Sequence, residues 1–263
     1  MSSGNNAPHP ARLLISALPD FPLVRPGDDL AGLIGAAAVR SGMTPVDGDV
    51  VVVAQKIVSK AESRIVDLAA VVPTPQAIAV AAEVGKDPRL VEVILSESRR
   101  IVRKRPDMLI VEHRLGFVMA NAGVDQSNVG PADGIERALL LPENPDGSAE
   151  GLRTALHARF GARIGVIIND SFGRAWRRGT VGIALGAAGL PALIDKRGEP
   201  DLFGRALRVT LIGFADEIAA AASLLMGQAD EGQPVVIVRG LRWSAPALPG
   251  AGLIRPEAQD MFR

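Results

Sequence analysis

The sequence predicts an α+β fold, mixed in the order of its helices and strands. Three observations predict it. Apolar, β-branched runs of strand length recur at Val50–Val53, Arg163–Ile168 and Val235–Val238. Between them lie segments with helical spacing and helix punctuation, such as Leu30, Leu33, Ile34 and Ala37 between Asp28 and Gly42. The two kinds do not alternate strictly, as a doubly wound sheet requires. Neither a Gly-x-x-x-x-Gly-Lys-Ser/Thr loop nor a dinucleotide fingerprint is present, and the Gly182/Gly186/Gly189 spacing does not supply one.

Each element has its own local reason. Leu13–Leu18 reads as a first strand. Asp28 is positioned to cap a helix that runs to about Ser41, and Gly42 stops it. Val50–Val53 suits a strand buried on both faces. Gln76–Val84 is an Ala-rich helix closed by Gly85. Asp87-Pro88 opens another by N-cap and first-turn proline, and the pattern continues it to about Lys104. Met108–His113 and Phe117–Asn121 flank Leu115-Gly116 as a hairpin. A loop follows from Ala122 to Gly134, then a strand at Ala138–Leu141. Ser148 is read as the cap of a helix to Phe160, closed by Gly161. Arg163–Ile168 is a buried strand ending on Asn169-Asp170. Gly173–Gly179 is an Arg-rich loop, Ala206–Phe214 a strand, Asp216–Met226 a helix and Val235–Val238 the last strand. Residues 1–11 read as a disordered leader, and 244–263, with Pro246, Pro249 and Pro256, as an irregular tail.

Composition excludes several chemistries. The 263 residues carry 29 Lys and Arg against 29 Asp and Glu, so attraction to phosphate must be local. No cysteine is present and only three histidines are, which removes thiol nucleophiles, Cys-ligated zinc and iron–sulfur clusters. Aromatic residues make up 3%, too few for a base-stacking platform, so nucleic acid is not an expected partner. The N-terminus lacks a basic region before its short apolar run, and uncharged runs such as Thr180–Ile194 fall short of a bilayer span. The expectation is a cytoplasmic protein without membrane contact. Chemistry must run on carboxylates, hydroxyls, amides, Lys and Arg.

Acidic groups after apolar strands are the informative feature. Asp170 follows Gly165–Asn169 and precedes Ser171. Asp125 lies in a loop dense in oxygen and amide groups, Asn121–Asn128. Two such carboxylates can share a hard divalent cation that retains waters and substrate phosphates, although the same residues also suit turn capping. Arg174, Arg177 and Arg178 crowd the next loop, and Arg205 stands in another. Guanidinium forks suit phosphate and carboxylate. The run Arg99, Arg100, Arg103, Lys104 and Arg105 is assigned instead to a helix C-terminus, where cations complement the dipole. Gln55, Lys56 and Lys60 follow the Val50–Val53 strand, where lysine can neutralise phosphate or simply be solvated. The turn from Met226 to Gln233 can wrap a nucleotide or be only a turn.

Taken in order, these segments resemble the CofE family of coenzyme F420-0:L-glutamate ligases. The resemblance spans Leu18 to Arg242. It rests on Phe-Pro-Leu-Val with Gly-Asp-Asp-Leu (21–30), Gly-Asp-Val-Val-Val-Val-Ala-Gln-Lys-Ile-Val-Ser-Lys-Ala-Glu (48–62), Asn-Ala-Gly-Val-Asp-Gln-Ser-Asn-Val (121–129), Leu-Leu-Pro-Glu-Asn-Pro-Asp-Gly-Ser-Ala (140–149), Val-Ile-Ile-Asn-Asp-Ser-Phe-Gly-Arg-Ala-Trp-Arg (166–177), Ala-Asp-Glu-Ile-Ala-Ala-Ala-Ala (215–222) and Val-Val-Ile-Val-Arg-Gly (235–240). It implies two interleaved lobes within residues 12–243, a homodimer, and a GTP-dependent amide ligase using Mg²⁺ or Mn²⁺ with stimulation by K⁺. By position, Asp125, Asp170 and Ser171 match metal ligands. Phe21, Pro22, Leu23, Val24, Gln55, Lys56, Lys60 and Asn128 match nucleotide-contacting positions. So do Met226, Gly227, Gln228, Ala229, Asp230, Glu231, Gly232 and Gln233. Ser171 stands where threonine is usual. Gln228 stands where glutamate often helps hold a second cation, and keeps the oxygen without the charge. Lys60, Arg174 and Arg177 are the residues assigned to phosphate transfer and substrate clamping. The substrates implied are F420-0, L-glutamate and GTP. The rival readings from residues alone are a metal-dependent nucleotide phosphohydrolase and a phosphate-binding protein.

Overall fold

The structure is a computed structural model that describes residues 12–130 and 133–261; the expected leader at 1–11 lies outside the described residues. In chain order the elements are β1 (Leu14–Ala17), α1 (Leu30–Arg40), β2 (Val50–Ala54), α2 (Gln55–Ala61), β3 (Ile65–Asp67), α3 (Pro75–Val84), α4 (Pro88–Ser96), β4 (Ser98–Arg105), β5 (Met108–His113) and β6 (Val118–Ala120). There follow β7 (Arg137–Leu139), α5 (Pro145–Phe160), β8 (Gly165–Gly173), β9 (Thr180–Ala188), β10 (Ile194–Asp195), β11 (Leu211–Ile212), α6 (Phe214–Met226) and β12 (Val235–Arg239).

A five-stranded sheet in the order β1-β12-β2-β8-β9 forms the first lobe. Its only parallel pair is β2 with β8, registered Val50 to Gly165 through Ala54 to Asn169. The period of two explains the β-branched runs. Val51, Val53, Val166, Ile168, Val235 and Ile237 enter one buried cluster with residues of α1 and α5. Val50, Val52, Ile167, Val236 and Val238 enter another with α6. The chain leaves this lobe after α2 and returns before α5. The excursion builds a second buried cluster from Val80, Val91, Ile94, Leu109, Val111 and Ala138 under α3 and α4. The two lobes are therefore interleaved in sequence, as the resemblance implies, and helices and strands mix without strict alternation, as the α+β reading expects.

Several local expectations are corrected. The helix begun at Pro88 stops at Ser96, and Ser98–Arg105 is a strand paired with β5. Ile101-Val102 favours extended backbone, and Asp107, at φ 64°, turns the chain into the hairpin. The basic run thus complements no helix dipole. It is spread along β4 in ion pairs, Arg100 with Glu112 and Glu257 and Lys104 with Glu83. α1 is capped by Asp29, which accepts from Gly32 N, while Asp28 accepts from Arg25 N. α5 begins at Pro145 under an Asn144 cap, three residues before Ser148. Within 206–214 only Leu211–Ile212 pairs as a strand, because Phe214 already starts α6.

Four further elements were not expected: α2, β3, β9 and β10. The uncharged run holding Gly182 and Gly186 is a nine-residue edge strand. Its glycines seat neighbours: a β-carbon on Gly186 would lie 2.3 Å from the Pro145 carbonyl, and one on Gly182 would lie 2.5 Å from the Ala219 carbonyl oxygen. Tail residues 244–261 lack regular helix and strand apart from two short 3₁₀ turns, but they are fastened to this lobe. Gly250 N and Ala251 N donate to the Asp146 carboxylate at 2.7 and 3.1 Å.

Candidate functional site

The parallel β2–β8 pair brings its two C-terminal ends to one rim of the sheet, the place where open α/β sheets bind ligands. β2 passes into α2 without a loop, so Lys56 and Lys60 stand one helical turn apart at that rim. β8 continues past its last partner on β2 and carries Asp170 and Ser171 on adjacent positions. β12 runs antiparallel to β2, so the turn before it reaches the same rim, and Ala54 N donates to Pro234 O.

Strand alternation separates the functions of β8. Asn169 and Ser171 face α6. Asn169 Nδ2 donates to Ser223 Oγ at 3.0 Å, and Ser171 Oγ donates to Gln228 Oε1 at 2.8 Å. Asp170 and Phe172 face the other way, where Phe172 packs with Met119 and Leu141. The second lobe supplies Asp125 on that side. Its loop is pinned by mutual backbone bonds between Asp125 and Leu139.

Asp125 and Lys56 form the centre. Lys56 Nζ lies 2.7 Å from Asp125 Oδ2 and donates to Ser127 Oγ at 2.7 Å. Ser127 N and Oγ also donate to the Asp125 carboxylate, at 2.8 and 2.9 Å. Lys60 Nζ donates to Asn128 O at 2.6 Å, and Asn128 Nδ2 donates to Ala229 O at 2.9 Å. The two lobes and the α6–β12 turn therefore meet at Lys56, Lys60 and Asn128.

Electrostatics distinguish the two carboxylates. Burial works to raise Asp125, but hydrogen bonds from Lys56 and Ser127 outweigh it and hold the group below the usual range. Burial pushes Asp170 up to about 6, and the charge of Asp125 adds to the rise against the opposing Ser171 N–H and Lys56. Burial, with Lys56 nearby, lowers Lys60. A half-buried carboxylate crowded by a second one is a group that a cation would stabilise.

The remaining expected residues divide. Gln55 is buried, and its amide nitrogen is taken up by Ser59 Oγ and Leu140 O, which ties α2 to the second lobe. Phe21 and Val24 pack into the cluster that contains Ile57 and Val58, whereas Pro22 and Leu23 are exposed. In the turn, Met226 Sδ contacts Asn169 Nδ2, Gly227 has φ 72°, and the Glu231 carboxylate accepts from Ala229 N. Asp230, Gly232 and Gln233 complete that turn. Arg174 and Arg177 lie on the loop joining β8 to β9, beyond Ser171, and among the described residues no ion pair joins either to Asp125 or Asp170. Arg205 lies on the separate β10–β11 hairpin. No group of three or more His, Asp or Glu suited to a metal occurs among the described residues.

Sequence reasoning missed Ser127 as a partner of Lys56, Asn169 as the tie to α6, and a buried polar junction around Glu97. Ser127 and Asn169 were inside the quoted segments, next to the carboxylates. Glu97 carried no local signal, because its partners, Arg64 and the adjacent His113 and Arg114, come from two segments distant from it in sequence.

The sequence profile of the family described as F420-0:gamma-glutamyl ligase matches residues 20–240. The chain belongs to this family. It is 50% identical over 245 residues to the coenzyme F420:L-glutamate ligase of Methanothermobacter thermautotrophicus, covering 92% of this chain and 96% of that protein. It is 47% identical over 255 residues to the ligase of the same name from Methanopyrus kandleri, covering 95% and 98%. With the Archaeoglobus fulgidus ligase it shares 43% over 257 residues, covering 96% and 97%. The matched family segment includes both carboxylates, both lysines and the α6–β12 turn. No described helix is long and apolar enough to cross a membrane.

Proposed function

We propose that this protein joins L-glutamate to coenzyme F420-0, and adds further glutamate through γ-linkages, in a reaction driven by GTP and a divalent cation. The observation that carries the reading is the meeting of Asp125, Asp170, Lys56 and Lys60 at one rim, in a chain that spans nearly the whole length of ligases named for this reaction.

The donor set fits a hard cation. Asp125, Asp170, the Ser171 hydroxyl and the Gln228 amide offer only oxygens, and two carboxylates with water suit Mg²⁺ or Mn²⁺. Asp125 and Asp170 would hold it, and bound there it would neutralise phosphate charge. Gln228, neutral where a carboxylate is common, fits a weaker second cation such as K⁺.

The chemistry follows from what a carboxylate lacks. Its oxygen is a poor leaving group, so an amine does not displace it. In the proposed first step a carboxylate oxygen of F420-0 bonds to the γ-phosphorus of GTP as the bond to the β-phosphate oxygen breaks, giving an acyl phosphate and GDP. In the second step the glutamate amine bonds to the acyl carbon, the carbon–oxygen bond to phosphate breaks, and the amine proton passes to solvent. Lys56 and Lys60, with an ammonium each at the rim, complement the transferring phosphoryl group. Arg174 and Arg177 are assigned to clamp the acidic substrates. A homodimer belongs to the same proposal, and sedimentation tests it.

The test is to incubate the protein with F420-0, GTP, Mn²⁺ and L-glutamate and to read products by mass. A glutamyl adduct with stoichiometric GDP is expected. GDP formed equally without glutamate would favour the phosphohydrolase reading, and absence of both products would end the proposal.

A further inference from the structure

The chain crosses between the lobes twice, outward at 61–65 and back at 139–145, and the two crossings run side by side. Arg64 stitches them. Its Nε donates to Leu141 O at 2.9 Å, and its own carbonyl accepts from Leu140 N. Arg64 NH2 also donates to Glu97 Oε2 at 2.9 Å. The same oxygen accepts from Arg114 Nε at 3.1 Å, and His113 Nε2 lies 3.3 Å from it. Arg114 NH1 reaches the returning crossing at Glu143 O, at 3.4 Å. Leu115 N donates to His113 Nδ1, so the neutral ring carries its proton on Nε2, toward Glu97. His113 is fully buried and Glu97 nearly so.

One carboxylate oxygen thus gathers donors from the outward crossing and from the β5–β6 turn of the second lobe. The side-chain bonds of Glu97 go to Arg64 and Arg114 and those of Asp125 to Lys56 and Ser127, so the two groups share no partner, and no side chain of the Glu97 cluster is assigned to substrate or cation. We infer that Glu97 is a positioning residue: through Arg64 and Arg114 it clamps the two crossings and so fixes Asp125, on the second lobe, against Asp170, on the first. The inference rests on the reading of these two aspartates as cation ligands.

The absence of cysteine allows a direct test. Spin labels placed at Val39→Cys on α1 and Val72→Cys in the second lobe occupy exposed positions, one on each lobe. Pulsed dipolar spectroscopy then reads the interlobe distance. Mn²⁺ binding is read separately, on unlabelled protein, by the loss of the free-ion resonance. In Glu97→Gln the distance distribution is expected to broaden or shift, and the Mn²⁺ dissociation constant to rise about tenfold. Arg114→Ala, at a partly exposed side chain, gives the same changes in weaker form and decides the matter where Glu97→Gln does not fold. A folded variant with an unchanged distribution overturns the inference, even with a lower melting temperature, as does an altered distribution with unchanged Mn²⁺ affinity. A parent protein that binds no Mn²⁺ faults the cation reading instead, and the distance measurement still decides the clamp.

Discussion

Substituting Gly182 by alanine tests how the site is held. Gly182 is registered opposite Ser171, on the sheet face that receives α6. A β-carbon there would lie 2.0 Å from Ser223 Oγ, 2.5 Å from Ala219 O and 2.6 Å from Asn169 Oδ1. The serine hydroxyl can rotate away. The Ala219 carbonyl is helix backbone and cannot, so α6 must retreat by about 0.5 Å or more to reach even the tightest separations seen for β-carbons. Overpacking of this kind costs about 1–3 kcal/mol. For a chain of this size that lowers the melting temperature by roughly 2–12 °C. The retreat also draws Gln228, two residues beyond α6, from Ser171, and the 2.8 Å bond between them is lengthened and weakened. Gly182 has an ordinary strand backbone, so the effect is steric. Gly151→Ala is the control. It lies on the exposed side of α5 with nothing within 4 Å of a new β-carbon, and should gain about 0.5–1 kcal/mol from helix propensity. Thermal melts and glutamyl-adduct rates read both variants. Gly182→Ala melting at or above the parent with full activity would refute the seating of α6 described above.

Three further predictions follow from the same geometry. Asp170→Asn should abolish adduct formation while the cation-free protein at pH 8 melts no lower than the parent. Burial raises this carboxyl to about 6, so its charged form disfavours folding above that pH, and a clear loss of stability would contradict the placement. Burial works to raise Glu97, but His113, Arg64 and Arg114 outweigh it and hold the group at about 2. Its stabilisation, at most about 3 kcal/mol, is therefore complete above pH 4.5 and lost as pH falls toward 2. The urea-midpoint gap between parent and Glu97→Gln should narrow from pH 7 to pH 3, and parallel curves would count against it. Lys56→Met should weaken GTP-dependent turnover by about a hundredfold, with the fold retained, because it removes the ammonium between Asp125 and Ser127 at the phosphate rim. Turnover within a few-fold of the parent would remove Lys56 from the reaction.

Much of this was legible in the sequence because the signal was local. Val50–Val53 and Val235–Val238 announced central strands through β-branched residues, and both are buried on two faces. Asp87 and Pro88 announced a helix start, and Gly85 and Gly161 helix ends, each glycine in the left-handed conformation. Asp170 stood out because it ends an apolar strand and Asp125 because it lies in a loop dense in oxygen and amide groups, and the fold brings them to one rim. What the sequence concealed was set by distant partners. Ser98–Arg105 reads as a helix continuation until β5 supplies its ladder. β9 is obscured by Gly182 and Gly186, which lower strand propensity for the sake of close approach to α6 and α5. Lys56 and Lys60 are visible as charges after a strand, but their pairing with Asp125 and Asn128 depends on an excursion of more than 60 residues. The Glu97 junction is invisible for the same reason.

The central claim is that the carboxylate of F420-0 is activated by phosphoryl transfer before it meets glutamate. The most direct measurement uses F420-0 labelled with ¹⁸O in that carboxylate, incubated with GTP, Mn²⁺ and L-glutamate, and follows label into the released phosphate. One ¹⁸O per phosphate, in step with one glutamate joined and one GDP formed, is the predicted result. Glutamyl product accompanied by unlabelled phosphate would contradict the account.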